Sequence, residues 1–322
     1  CTHPNVYVPL PSSLQYNKRP AFRGPDVIAA SSLTKRYDGF TALDEVSFAF
    51  PGAGIFGIVG HNGAGKTTLL KIIAGLVAPT SGELSVNGID VVHDPVALKE
   101  TLGYLPEESR LYETMTAEDY LAFFGEIYGI DKEEITIRTR RLFTALSLET
   151  GGKKMGEFSK GMKRKTAIAR SLIHDPSFLV YDEPTSGLDP MTSRFIAGYL
   201  KKLKSEGRTI VLSAHNLYQV EAICDRVMIL RRGKVVALGT MDELREQFGS
   251  ITYTIWFAHP DPSRIDRNTV PYRLDDRGLA CDAGDMAGLN ACSAAIAAAG
   301  GRVERIESRY LSLEEMLVAI GE

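Results

Sequence analysis

Gly60-His61-Asn62-Gly63-Ala64-Gly65-Lys66-Thr67-Thr68 has the spacing G-x-x-x-x-G-K-S/T. Its glycines let a backbone wrap closely round phosphate oxygens and aim N–H groups at them. Lys66 is spaced to reach β- and γ-phosphates, and the Thr67 hydroxyl to ligate Mg2+. A glycine-rich surface turn is the plain alternative. The flanks argue against it. Gly54–Val59 reads as a buried strand and Leu69–Ala74 as an apolar helix, whose N-terminal dipole end faces the same anion. That strand–loop–helix context points to nucleoside-triphosphate binding.

Two further groups follow. The apolar run Phe178–Tyr181 leads into Asp182-Glu183. Asp182 is placed to hold Mg2+ through water, and Glu183 to orient or deprotonate an attacking water. Phe158-Ser159-Lys160-Gly161-Met162 opens a helix, so Ser159 and Gly161 stand at a second helix N-terminus suited to an anion. Alone, the first is an acidic pair at a strand end and the second a helix cap.

These residues need elements to position them. A β region runs from Val27 through the alternating Leu43–Phe50, and Asn87-Gly88 marks a hairpin turn. Asp94 to about Asp175 reads as mostly helical, with Thr116-Ala117-Glu118-Asp119 as a capping box and Gly151-Gly152 as a break. Phe178–Tyr181 and Thr209–Leu212 have the continuous apolarity of buried parallel strands. A hairpin over Arg226–Leu238, turning at Arg232-Gly233, and a helix through Gln247 close this domain. Residues 250–322 contain strands, an Ala-rich helix and a last helix opened by Ser312-Leu313-Glu314-Glu315, enough for a small accessory subdomain. Residues 1–25, with five prolines, read as an extended arm.

Composition sets outer limits. The 322 residues are 44% apolar and 24% charged, with a net charge of −3, so no basic excess suggests nucleic acid. Lys163-Arg164-Lys165 and Lys201-Lys202-Lys204 read as solvated helix faces. No stretch approaches the ~20 apolar residues of a membrane span, so a membrane role is expected to run through a partner. Cys1, Cys224, Cys281 and Cys292 have no metal-binding spacing and suit a reducing compartment. Cys1 in first place is expected to mark a processed or truncated start.

Between the phosphate loop and Asp182-Glu183, the run Phe158–Met162 resembles the signature motif of ABC-type ATPases. Tyr104-Leu105-Pro106-Glu107 stands where that family has its Q-loop. Gly187-Leu188-Asp189-Pro190 resembles the D-loop, Ser213-Ala214-His215 the switch histidine, and Tyr37 the aromatic that stacks on adenine. The resemblance covers about Val27 to Gln247. It implies an α/β fold: a P-loop NTPase core with an antiparallel β subdomain, a helical subdomain and, here, a small C-terminal α+β subdomain. The ATP-binding domain is expected over 26–249.

The resemblance also implies a mechanism. ATP lies between two such domains, the phosphate loop of one facing Ser159, Lys160 and Gly161 of the other. Glu183, His215 and Lys66 carry catalysis, Asp189 belongs to the D-loop, and Thr67, Glu107 and Asp182 attend Mg2+. A second ABC subunit, most simply an identical chain, is then required. Integral membrane permease subunits are implied as partners, docked near Glu107 at the cytoplasmic face of the cell membrane. Two departures stand out. The common LSGGQ is here Phe-Ser-Lys-Gly-Met, which places Lys160 near the partner's nucleotide, and the usual Q-loop glutamine is Glu107. Both, with the C-terminal extension, resemble the exporter-type branch whose membrane subunits are separate chains. A soluble ABC ATPase, for instance in cofactor assembly, is the competing reading. One ATPase domain rather than two sets this chain apart from translation members, and no visible long coiled coil or zinc-cysteine set places it with DNA-repair members.

Overall fold

The computed structural model describes residues 26–248 and 251–321. The expected N-terminal arm, 1–25, lies outside the described residues. These fall into two compact units, one through Met241 and one from Asp242.

The first unit opens with the long antiparallel hairpin β1 (Asp26–Tyr37) and β2 (Phe40–Pro51), then β3 (Ile55–Val59) and α1 (Lys66–Ile73). Next come β4 (Ser81–Val86), β5 (Ile89–Asp90), α2 (Pro95–Thr101) and β6 (Leu102–Leu105). Helices α3 (Ala117–Ile127), α4 (Lys132–Ala145) and α5 (Lys160–Leu172) precede β7 (Phe178–Tyr181). The unit ends with α6 (Pro190–Ser205), β8 (Thr209–Ser213), α7 (Leu217–Ile223), β9 (Arg226–Arg231) and β10 (Lys234–Gly239).

Two sheets result. The antiparallel one has the order β2-β1-β4-β5, and the larger one β10-β9-β3-β8-β7-β6. In the larger sheet all pairs are parallel except β9–β10. Every residue of β3, β7 and β8 is buried, as strands covered on both faces require. Phe50 of β2 stacks on Phe56 of β3 at 4.3 Å, and both belong to one apolar core with Leu69 and Ile73 of α1. Removing such a ring costs about 3–5 kcal/mol. The two sheets are therefore held as one body around the phosphate-loop helix.

One expectation changes. The span 94–175 is mostly helical, but Leu102–Leu105 is a strand that pairs with β7 from Leu102↔Phe178 to Leu105↔Tyr181. Four residues directly after a helix are too few to show a period, and only the neighbouring strand defines them. The capping reading of Thr116 holds: its hydroxyl accepts from Asp119 N at 3.1 Å.

The second unit has α8 (Met241–Phe248), β11 (Thr252–Ala258), β12 (Tyr272–Asp275), β13 (Gly278–Ala283), α9 (Met286–Ala298), β14 (Arg302–Arg309) and α10 (Leu313–Gly321). Its antiparallel sheet has the order β12-β13-β11-β14. Tyr253, Ile255 and Phe257 alternate onto one face and form a core with Leu289 and Ile296 of α9. Ser312 and Glu315 complete a reciprocal capping box, Ser312 N donating to Glu315 Oε2 and Glu315 N to Ser312 Oγ. Among the described residues no helix is long and apolar enough to cross a membrane.

Candidate functional site

The C-terminal ends of β3, β6, β7 and β8 lie along one edge of the parallel sheet. From them leave, in turn, the phosphate loop, Pro106-Glu107, Asp182-Glu183 and Ala214-His215. Open α/β sheets place ligands at this edge.

The loop's shape depends on its neighbours. Gly65 has φ +106, and a side chain there would meet the Ala42 carbonyl of β2. The turn between β9 and β10 supports the loop from below: Gly233 N donates to Ala64 O at 3.0 Å. His61, Asn62 and Gly63 are exposed, Ala64 and Lys66 buried, and Thr67 and Thr68 half-buried. Lys66 Nζ donates to Gly60 O at 2.7 Å and His61 O at 3.3 Å. Burial holds its pKa below the ordinary lysine value, opposed by the charges of Glu183, Asp182 and Glu107. Those three carboxylates thus share one electrostatic neighbourhood with Lys66.

Asp182 and Glu183 are both almost fully buried, not a solvent-facing pair. Ser213 Oγ links them, donating to Asp182 Oδ1 at 2.5 Å and accepting from Glu183 N at 3.0 Å. Glu183 has φ +49, a left-handed conformation costing a non-glycine residue ~1–3 kcal/mol. Its Oε2 accepts from His215 N at 2.9 Å. Its Oε1 is buried without a hydrogen bond, 3.4 Å from His215 Nε2. Burial raises the Glu183 pKa above the ordinary carboxylate value, with His215 and Lys66 acting in the opposite direction. A raised pKa and an unused oxygen equip a carboxylate to take a proton from water.

Arg164 carries no signal in the sequence, where it reads as part of a solvated basic run, yet the fold buries it. It is 6% exposed. Its guanidinium donates to the carbonyls of Pro106, Glu107, Asp182, Glu183 and Pro184 and to Ser109 Oγ. In sequence Ser213 is only a neighbour of His215; its bridging role also shows only in the fold.

Ser159 caps α5, its Oγ accepting from Met162 N at 3.2 Å. Asp189 caps α6 through Thr192 N at 2.9 Å, and hydrogen bonding from the Thr192 side chain first, then from its backbone, lowers the Asp189 pKa. Gly161 packs on Thr192, and a methyl at Gly187 would collide with Lys160 Nζ. In its own chain, then, the Lys160 ammonium lies over the Gly187 turn. Among the described residues no hydrogen bond or ion pair joins Ser159–Gly161 to the phosphate loop. Tyr37 lies at the β1–β2 turn, its ring stacked on exposed Phe40 at 5.5 Å, with Lys35 Nζ 5.0 Å from its centroid. That aromatic partner has no sequence signature of its own.

The donors near the loop are hard oxygens: the Thr67 hydroxyl and the Asp182 and Glu107 carboxylates. No group of three or more metal-ligating His, Cys, Asp or Glu side chains occurs among the described residues. Such a set fits Mg2+, which keeps water and substrate phosphates as ligands rather than needing a protein cage.

Residues 43–186 match the family model "ABC transporter". The chain is 40% identical over 207 residues to the ABC transporter ATP-binding protein NatA of Bacillus subtilis, covering 64% of this chain and 84% of that relative. A solved ATP-binding subunit of an ABC transporter superposes with TM-score 0.63 at 34% identity, over 69% of this chain and 93% of that one. A dimeric ATP-binding cassette, bound to ADP and Pi in a post-hydrolysis state, superposes with TM-score 0.62 at 25% identity, over 66% and 98% of the two chains. With its parallel-sheet edge, its phosphate loop and its buried acidic pair, the chain belongs to the ABC transporter ATP-binding proteins and is an ATPase of that family.

Proposed function

We propose that two copies of this chain close around ATP and, on hydrolysing it, drive export through separate membrane permease subunits. The observation that carries the catalytic part is Glu183 Oε1, a buried acceptor without a hydrogen bond beside His215 and in the field of Lys66. The loop N–H groups and Lys66 hold the triphosphate, with Gly60, His61, Asn62, Gly63, Ala64, Gly65 and Thr68 shaping the cradle and Tyr37 stacking on adenine. Thr67, with Asp182 and Glu107 acting directly or through water, would hold Mg2+, which supplies charge neutralisation at the phosphates. Glu183 takes the proton of the attacking water, and His215 contacts the γ-phosphate.

Ser159, Lys160 and Gly161 serve the partner's nucleotide. The exposure of Ser159 and Lys160, and the dimeric state of a structural relative, support this reading. ATP binds the closed pair better than the open one and so shifts the equilibrium toward it; hydrolysis removes the shared anion and reverses the shift. Asp189 fixes the turn that lies beside Lys160. The permease subunits would dock by the exposed Glu107 loop, at the cytoplasmic face of the membrane.

The test is Glu183→Gln. ATP binding should persist, hydrolysis should fall by about 100-fold or more, and an ATP-dependent dimer should appear on light scattering. Wild-type hydrolysis by that variant would remove Glu183 from the role of base. A monomer at saturating ATP would overturn the two-copy reading.

A further inference from the structure

Arg164 sits one turn into α5, behind the helix end formed by Ser159–Gly161. Its guanidinium is buried and makes no ion pair with a carboxylate among the described residues. Instead, each nitrogen has a separate task. Nε donates to Pro184 O at 2.9 Å, and Nη2 to Asp182 O at 3.0 Å and Glu183 O at 2.5 Å. Nη1 donates to Pro106 O at 2.8 Å, Glu107 O at 2.9 Å and Ser109 Oγ at 3.2 Å.

Three successive carbonyls at the exit of β7 are thus gripped from one side. They bracket the residue whose backbone is left-handed, Glu183. Such a conformation persists only where its surroundings over-determine it. The other end of the same rigid, planar fork holds the loop that carries Glu107. A guanidinium cannot shift one edge without the other. Lysine, a single point donor on a flexible stem, cannot span both segments.

We propose that Arg164 is a positioning residue that makes the Glu107 loop and the Glu183 carboxylate move as one body. Displacing the loop turns the Glu183 backbone, and the carboxylate with it, away from its contact with His215 N. The same side chain ties this unit to α5, so the helix end that serves a partner's nucleotide is in mechanical register with the hydrolytic base. Arg164 itself touches neither water nor phosphate in this scheme. The proposal rests on the reading of Glu183 as the base.

The experiment uses the full chain with Arg164→Lys, Ser109→Ala, which removes the loop-side acceptor of Nη1, and the double variant, with rates normalised to the nucleotide-binding sites counted by titration. Arg164→Lys should lower kcat by about tenfold or more while KM for ATP stays within about twofold. Ser109→Ala should lower kcat in the wild-type background and change it by less than about twofold on top of Arg164→Lys. A merely structural arginine would lower yield and melting temperature, leave kcat per binding site intact and give multiplicative effects; either kinetic result overturns the proposal. If Arg164→Lys does not fold, Ser109→Ala is read alone: a lowered kcat at unchanged KM supports the proposal, and an unchanged kcat overturns it. The two readings fail separately. Wild-type hydrolysis by Glu183→Gln sinks the base assignment, whereas an inactive Glu183→Gln with an unaffected Arg164→Lys sinks the Arg164 proposal alone.

Discussion

Gly233 N donates to Ala64 O at 3.0 Å, so the β9–β10 turn holds the phosphate loop from a strand pair far along the chain. Gly233 has φ +76, and a methyl there would lie 2.7 Å from the Ala42 carbonyl. Gly233→Ala should therefore strain the turn by about 1–2 kcal/mol. The expected result is a melting temperature about 2–8 °C lower and weaker ATP binding. Scanning calorimetry with and without ATP checks it; unchanged ATP affinity would mean the loop keeps its shape without the turn.

The pH dependence follows from two opposed shifts. In its proposed role as base Glu183 works only when ionised, and burial raises its pKa above the ordinary carboxylate value of 4.5. Activity should therefore be lost on acidification at a higher pH than for an exposed glutamate. Burial lowers Lys66 below its ordinary 10.5, so the cation proposed to hold phosphate should be lost earlier on the alkaline side. The profile of kcat/KM, which reports the free enzyme, should be a bell narrowed from both ends. An acid limb at or below the ordinary carboxylate range would contradict the burial of Glu183.

Ser213→Ala should do more damage than its size suggests. It removes the donor to Asp182 Oδ1 and leaves Glu183 N without its acceptor, and a buried unsatisfied group costs about 1–3 kcal/mol. Stability to urea should drop by about that amount, with kcat reduced and ATP affinity changed less. Ser213→Thr keeps the hydroxyl and should recover much of the rate. Equal damage from both variants would point to packing rather than hydrogen bonding.

Tyr37 and Phe40 offer an aromatic platform at the β1–β2 turn. Base stacking on such a ring is worth ~1–3 kcal/mol. Tyr37→Ala should weaken ATP binding by about 5- to 150-fold and Tyr37→Phe should leave it nearly unchanged, since the ring face does the work. Fluorescence titration with a labelled nucleotide distinguishes them. Full affinity in Tyr37→Ala would place adenine elsewhere.

Much of this protein follows from sequence alone because its signals are local. A phosphate loop is defined by adjacent residues whose backbone conformations and donors act together. Apolar runs such as Phe178–Tyr181 declare buried parallel strands, and caps such as Ser159 and Thr116 act within a single helical turn. Those signals were enough for the α/β core, for ATP as ligand and for the order of the site segments along the chain. Other features depend on residues far apart and were decided only when the chain folded. Leu102–Leu105 became a strand because β7 lay beside it. Lys160 came to lie over Gly187, which nothing in its own neighbourhood indicated. Arg164 looked like one more charge on a solvated helix, yet its acceptors lie 18 to 58 residues away. Periodicity can say which face of a helix is apolar; only the packing of β6 against β7 could bring those carbonyls within reach of one guanidinium.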